Sequence, residues 1–178
     1  FIDPNALQQI AEARHHDPFS LLGNQTAHAS EFLLAYAPDT NDLQIVETEQ
    51  SGQRIESSDF FIFDLHQQTL PAHYRFKRCD NHDQLSEFYD PYSFDTQIGE
   101  LDLHLFGEGK HLHIYRQLGA HPTQIDGIDG IRFATWAPNA SAVSVCGDFN
   151  HWDNRRHPMR SLGSSGVWEL FIPGLAAG

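Results

Sequence analysis

An internal repeat at an offset of 100 residues constrains the fold of this chain more than any other feature of the sequence. The segment 33–39, Leu-Leu-Ala-Tyr-Ala-Pro-Asp, aligns with the segment 133–139, Phe-Ala-Thr-Trp-Ala-Pro-Asn. Self-similarity at a fixed spacing indicates that one structural unit occurs twice. We therefore expect two copies of the same fold, each containing a turn built on Ala-Pro followed by Asp or Asn.

Each copy of the repeat has the pattern of a β-structure. Leu43 and Ile45 align with Val143 and Val145, and apolar residues that alternate with polar ones are typical of half-buried strands. A further strand rich in β-branched and aromatic residues follows each copy, at 60–65 and at 167–172. The repeat thus predicts two β-sandwiches in tandem.

The second copy lacks one strand of the first. In the first copy a loop at 67–72 leads into alternating residues at 73–78, whereas the second copy reaches Gly178 within the equivalent loop. A sandwich without its last strand would leave an unpaired edge. We therefore expect the second sandwich to be truncated and the chain to be a fragment of a longer protein.

Two short helices are predicted outside the sandwiches. Asp3 and Pro4 form an N-cap and first-turn pair for a helix that extends to about Arg14. A short amphipathic helix in the linker is indicated by apolar residues at helical spacing, which are followed by two glycines: Ile98, Leu101, Leu105 and Phe106, then Gly107 and Gly109. The predicted fold is all-β, with a first domain over 1–94 and a second over 95–178.

The charge balance excludes two classes of partner. The chain has 24 Asp and Glu against 11 Lys and Arg, a formal net charge of −13. Phosphate backbones and anionic membrane surfaces would be repelled, so we expect neither nucleic acid nor membrane as a partner. No apolar run approaches the length of about 20 residues that a membrane span needs.

Cys79 and Cys146 show no metal-binding spacing, and a reducing cytoplasm is the expected compartment.

The sequence shows no catalytic motif, and we expect no cofactor and no metal. A phosphate-binding glycine loop, a Gly-x-Ser-x-Gly elbow and a His-Glu-x-x-His motif are all missing. His111 and His113 would share one face of a strand and could bind a metal with a third ligand, but a polar face explains them better. His15-His16-Asp17 could also bind a metal, but a turn followed by a buried Phe19 explains this segment better.

Three tryptophans remain as candidates for binding. Trp136 and Trp168 lie within alternating strands, so core packing is favoured for both. Trp152 follows a loop-like stretch and precedes charged residues, which would leave its indole near solvent among hydrogen-bonding groups. Sugars are recognised by flat aromatic faces with polar groups at the rim. At this level Trp152 is either a platform for a sugar or a lid on the core.

Several motifs together resemble the N-terminal region of bacterial glycogen branching enzymes. In the second copy they are Tyr115-Arg116-Gln117-Leu118-Gly119-Ala120-His121-Pro122, the segment 133–140, the segment 143–153, His157-Pro158-Met159-Arg160 and the segment 166–173. The first copy adds His16-Asp17-Pro18-Phe19, Leu22-Gly23 and Tyr89-Asp90-Pro91-Tyr92-Ser93-Phe94, which resemble the extra N-terminal domain of the longer enzymes. The resemblance covers essentially the whole chain.

The resemblance implies a function in glycogen biosynthesis. A 1,4-α-glucan branching enzyme cuts an α-1,4 glucan chain and transfers the piece to a 6-hydroxyl, which forms an α-1,6 branch. Its catalytic barrel belongs to the α-amylase type and uses a pair of carboxyl groups in a retaining reaction. In such enzymes the barrel follows the binding module, so the resemblance assigns no catalytic residue to this chain.

The resemblance also implies a binding site and partners. The second sandwich is similar to an immunoglobulin-like starch- and glycogen-binding module, in which the Trp of a Phe-Asn-x-Trp segment stacks on glucose. This carries over to Trp152, with Asn150 as a partner at the rim. The implied partners are glycogen and malto-oligosaccharides, together with the catalytic barrel, against which Trp152 could instead pack. The alternatives are a self-contained glucan-binding or regulatory protein and, less favoured, a debranching-type relative.

Overall fold

The chain divides into two structural units that do not follow its sequence order throughout. The computed structural model describes residues 2–24, 32–66, 68–109 and 116–176. One unit is Phe19–Phe94, and the other combines Phe1–Pro18 with Asp95–Gly178. The two units meet in sequence at 94/95, where the predicted domain boundary lies, but the N-terminal segment groups with the later residues.

The unit Phe19–Phe94 contains two four-stranded antiparallel sheets. Its strands are β1 (Gly23–Asn24), β2 (Phe32–Tyr36), β3 (Thr40–Ile45), β4 (Gln50–Ser51), β5 (Gln53–Arg54), β6 (Phe60–Asp64), β7 (Arg75–Asp80) and β8 (Leu85–Tyr89). The sheet orders are β1-β2-β6-β5 and β4-β3-β7-β8. Apolar side chains from both sheets form one buried core, which includes Leu33, Leu43, Ile45, Phe61, Phe63 and Phe76. The predicted β-sandwich is confirmed.

A buried polar pair lies at one side of this core. Tyr74 is fully buried, and its phenol donates a hydrogen bond to the buried carboxylate of Asp90. Asp90 also caps a 3₁₀ turn, Pro91–Ser93, by accepting a hydrogen bond from the Tyr92 amide at 3.1 Å. Burial raises the pKa of Asp90 to about 6, although these two hydrogen bonds favour the ionised form. The carboxylate of Asp90 thus joins the buried Tyr74 to the turn at Pro91–Ser93.

The other unit contains both helices and one four-stranded antiparallel sheet among its described residues. Its elements are α1 (Pro4–Ala11), α2 (Glu100–Gly107), β9 (Gly119–Ile125), β10 (Ile128–Trp136), β11 (Arg160–Ser161) and β12 (Val167–Pro173), with the sheet order β11-β12-β10-β9. The side chain of Asp3 accepts a hydrogen bond from the Asn5 amide at 3.0 Å and caps α1, as predicted, but the helix ends before Arg14.

Strand β12 is buried on both of its faces. Every residue from Val167 to Ile172 is buried, although alternate side chains of a strand point to opposite sides of the sheet. On one face Val167 belongs to a cluster with Ile98 and Ala134, and Leu103 and Phe106 of α2 pack against it. The linker helix therefore covers the face of the sheet that carries Val167.

Strands are present where the repeat predicts them, at β2 and β6 in one unit and at β10 and β12 in the other. Strand β2 pairs with β6 so that Tyr36 lies opposite Phe60, and β10 pairs with β12 so that Trp136 lies opposite Val167. The equivalent of β3 differs, because the second unit forms only an isolated bridge between Ser144 and Pro158. The described residues thus give this unit one full sheet and one bridged segment, and the all-β prediction with two short helices is confirmed.

Candidate functional site

The side chain of Trp152 is the most exposed indole of the chain. It is 69% exposed, and it lies on the loop 147–157 that joins the two sides of the Ser144–Pro158 bridge. A large exposed apolar side chain is informative only where the structure holds it in place. The hydrogen bonds within the loop decide whether the indole is held.

Asn150 organises the loop from inside. Its side chain is almost fully buried, with the residue 2% exposed. The Gly147 amide donates to the Asn150 Oδ1 atom at 2.9 Å, and the Asn150 Nδ2 atom donates to the Val145 carbonyl at 2.8 Å and to Nδ1 of His157 at 2.9 Å. One amide group thus joins the start of the loop to its end.

The backbone of the loop adopts an uncommon conformation immediately after Asn150. His151 and Trp152 both have left-handed backbone angles, with φ values of 55° and 59°. For residues with a side chain this conformation costs about 1–2 kcal/mol each. The Trp152 amide donates to the Gly147 carbonyl at 3.0 Å, so hydrogen bonds within the loop stabilise the turn. The left-handed backbone places the indole on the outer side of the loop.

A carboxylate holds the edge of the indole. The Nε1 atom of Trp152 donates to Oδ1 of Asp148 at 2.9 Å. A hydrogen bond from an indole to a charged acceptor is stronger than one between neutral groups and fixes the plane of the ring. The result is a flat apolar face in solvent with a carboxylate at its edge.

The far side of the loop is closed by an ion-pair cluster. Asp153 accepts hydrogen bonds from the Arg155 side chain at 2.9 Å and lies 3.4 Å from the Arg156 guanidinium. Burial alone would raise the pKa of Asp153, but the hydrogen bonds from Arg155 and the charge of Arg156 hold the pKa below its usual value. Asp153 therefore stays ionised and is engaged in holding the loop.

The two predicted site residues occupy different positions. Trp152 is exposed, as its loop context predicted, whereas the amide of Asn150 points into the loop and away from solvent. The structure brings both residues into one loop, but with distinct tasks: Trp152 offers a surface, and Asn150 sets the backbone that carries it.

The prediction of core packing holds for only one of the other two tryptophans. Trp168 is buried, and its indole donates to the Ala137 carbonyl at 3.1 Å. Trp136 is 54% exposed, and its indole packs edge-on against the ring of Phe106 at 5.8 Å. The core prediction for Trp136 is wrong, because Trp136 is the last residue of β10 and the cover over that end of the sheet is incomplete.

One of the two histidine motifs, His15-His16-Asp17, lies among the described residues. His111 and His113 lie outside the described residues. The rings of His15 and His16 stack at 5.1 Å, and Nδ1 of His15 accepts a hydrogen bond from the Asp17 amide. Within 2–24, 32–66, 68–109 and 116–176, no group of three or more His, Cys, Asp or Glu side chains is arranged to hold a metal ion.

Two further observations concern the environment of the chain. Cys79 and Cys146 are both free thiols. No helix in the described part of the chain is both long enough and apolar enough to cross a membrane.

Comparison with protein-family models assigns both halves of the sequence. Residues 3–92 match the model described as alpha-1,4-glucan branching enzyme GlgB, N-terminal domain. Residues 117–178 match the model described as carbohydrate-binding module 48 (isoamylase N-terminal domain), and this range includes the loop of Trp152. The first of these matches covers half of the chain.

Curated relatives agree with these matches. Proteins named 1,4-alpha-glucan branching enzyme GlgB are similar to this chain in Cellvibrio japonicus (50% identical over 97% of the chain and 25% of the relative), in Methylococcus capsulatus (48%, over 96% and 23%) and in Hydrogenovibrio crunogenus (42%, over 99% and 25%). The chain thus spans about a quarter of the length of these relatives. On the match over residues 3–92, the chain belongs to the family of GlgB N-terminal domains of alpha-1,4-glucan branching enzymes.

Proposed function

We propose that the unit formed by residues 1–18 and 95–178 binds α-1,4-linked glucan, such as glycogen and malto-oligosaccharides, on the exposed face of Trp152. The observation that carries this proposal is an indole that is exposed yet fixed, through its bond to Asp148 and the left-handed backbone of its loop. The carbohydrate-binding-module match over residues 117–178 supports it independently.

Physical chemistry favours a neutral sugar on such a surface. One face of a glucose ring presents C–H groups that pack on an aromatic ring, while its hydroxyls project around the rim. A preformed platform loses little side-chain entropy on binding, because the ring is already held in one orientation. Asn150 contributes to this site by positioning the loop, since its three hydrogen bonds are made within it.

Replacing Trp152 with alanine tests the binding proposal. We expect Trp152→Ala to reduce retention of the chain in glycogen-containing native gels by about tenfold, since stacking on one aromatic ring contributes about 1–2 kcal/mol. Leu101→Ala is the matched control, because Leu101 is an equally exposed apolar residue of the same unit. Unchanged mobility of a folded Trp152→Ala variant, with Leu101→Ala also unchanged, would assign the indole to another role, such as packing against a catalytic barrel.

The same proposal extends to the protein to which this region belongs. Its relatives are named 1,4-alpha-glucan branching enzymes, and the chain corresponds to about a quarter of their length. We assign to the whole protein the transfer of α-1,4 glucan segments to 6-hydroxyls, with the catalytic carboxyl pair outside these 178 residues. The binding unit would hold the polymer while the barrel acts on it.

A branching assay tests this assignment. The 178-residue chain alone is expected to leave the iodine stain of amylose unchanged, and the full-length protein is expected to lower it as α-1,6 branches form. A full-length protein that binds glycogen without changing the stain or the linkage content would instead support the alternative of a glucan-binding or regulatory protein.

We also place the protein in the cytoplasm, which two free thiols and a cytoplasmic glycogen polymer favour.

A further inference from the structure

The carboxylate beside the indole is committed through only one of its two oxygens. Oδ1 of Asp148 accepts the hydrogen bond from Trp152 at 2.9 Å. Within the part of the chain that the structure describes, Oδ2 of Asp148 makes no hydrogen bond and no ion pair. Asp148 is also exposed to solvent. An acceptor oxygen is therefore available directly at the edge of the aromatic face.

We propose that Asp148 is a second glucan-contacting residue, whose Oδ2 atom accepts a hydrogen bond from a hydroxyl of the sugar that stacks on Trp152. This inference rests on the proposed function, because it assigns the polar rim of the same site. An aromatic platform gives affinity but little orientation, and a fixed acceptor at its edge selects the ring position in which a hydroxyl meets it.

Two other polar side chains of the loop, Asn150 and Asp153, are already engaged. The Asn150 amide makes three hydrogen bonds within the loop, and the Asp153 carboxylate is held by Arg155 and Arg156. Neither can turn outward without breaking the loop. Asp148 is thus the carboxylate on this loop that can reach a ligand at no cost to the structure around it.

A carboxylate at the rim also defines the class of sugar. Hydroxyl groups donate to a carboxylate in a charge-assisted hydrogen bond, whereas phosphate and carboxylate groups are repelled by it. The formal net charge of −13 adds to that repulsion at longer range. The site therefore selects neutral, hydroxyl-rich glucan and discriminates against phosphorylated or uronic acid chains.

The test compares charge-removing variants of the 178-residue chain by calorimetric titration with maltoheptaose. We expect Asp148→Asn to bind about tenfold more weakly, since a hydrogen bond to a charged acceptor is lost. The carboxamide oxygen of the variant can still accept the indole N–H, so the Trp152 ring of the unliganded variant is expected to keep its orientation, measured by the NOEs between its ring protons and the loop. Asp126→Asn, at an exposed left-handed position that asparagine tolerates, is the matched control and should bind normally.

Different results would contradict the Asp148 contact and the glucan site at Trp152. Wild-type affinity in Asp148→Asn overturns the contact with sugar, and so does weak binding accompanied by altered ring NOEs in the unliganded variant, which would make Asp148 a positioning residue. Unaltered affinity in Trp152→Ala, by contrast, contradicts the proposed function itself. The Trp152→Ala titration is run in parallel to separate these cases.

Discussion

Replacing Glu169 with alanine is expected to lower the free energy of unfolding of its unit by about 3–5 kcal/mol, which is the cost of breaking a buried charged network by removing one partner. Glu169 is 1% exposed and lies in the central strand β12. Its Oε1 atom accepts a hydrogen bond from the Gln97 amide at 2.7 Å, and its Oε2 atom accepts one from the Ile98 amide at 2.8 Å. The variant would leave two backbone donors without these acceptors.

The loss also affects a neighbouring cation. Arg160 lies opposite Glu169 across the β11–β12 pair. Burial lowers the pKa of the Arg160 guanidinium, and the carboxylates of Glu169, Asp95 and Asp17 oppose that shift. Among the three carboxylates, Glu169 has the largest effect on the Arg160 pKa. Without Glu169, the free-energy cost of burying the Arg160 guanidinium rises. Asp17 and Asp95 belong to the two chain segments that join this unit, so the network stabilises its discontinuous architecture.

Urea unfolding followed by tryptophan emission measures this effect in the right unit. All three tryptophans lie between residues 136 and 168, so their emission reports this unit and is blind to Phe19–Phe94. Glu100→Ala, an exposed acid in the first turn of α2, is the control and should cost less than about 1 kcal/mol. If Glu169→Ala and the control unfold at the same urea midpoint, the buried carboxylate makes no net contribution to the stability of the unit.

Replacing Asn150 with alanine is expected to cost about 2–4 kcal/mol in the same measurement, because three hydrogen bonds end on its side chain. The left-handed turn at His151 and Trp152 would lose the side-chain hydrogen bonds that hold its two ends together. We therefore also expect the Trp152 indole to lose its fixed orientation and the affinity of the chain for glucan to fall, although the Asn150 amide points into the loop and away from solvent.

Asn154→Ala provides the matched control for this second variant. Asn154 lies in the same loop and is exposed, so its replacement should change stability by no more than about 0.5 kcal/mol. If Asn150→Ala unfolds at the same urea concentration as Asn154→Ala, the amide is not what organises the loop. If it is destabilised yet binds maltoheptaose with wild-type affinity, the positioning role is contradicted.

The strands of the repeat could be predicted because their information is local and repeated. Alternating apolar residues and the shared Ala-Pro turn occur in both copies and predict the strands β2, β6, β10 and β12. That β2 pairs with β6, and β10 with β12, is given by the structure. The grouping of the N-terminal segment could not be predicted in this way. It depends on contacts between residues distant in sequence, such as the hydrogen bond from the Ser161 amide to the His16 carbonyl at 3.4 Å.

The candidate site could be predicted only where its information is local in the sequence. Loop-forming neighbours indicated an exposed Trp152, but the inward amide of Asn150 depends on Val145 and His157, which are distant in sequence and lie together beside the bridge between Ser144 and Pro158. Trp136 was misplaced because alternation defines which face a side chain is on, and not how much of that face is covered. Its position at the end of β10, next to Ala137-Pro138, was the signal that the cover would be incomplete.

The most direct test of glucan binding at Trp152 is a titration of the ¹⁵N-labelled chain with maltoheptaose, followed through its three indole N–H resonances. The Trp152 resonance is assigned by its disappearance in Trp152→Phe. Binding on the proposed face predicts that this resonance shifts progressively and saturates, because a stacked sugar changes the environment of the ring and of its bond to Asp148. A Trp152 resonance that stays in place at saturating maltoheptaose would contradict it.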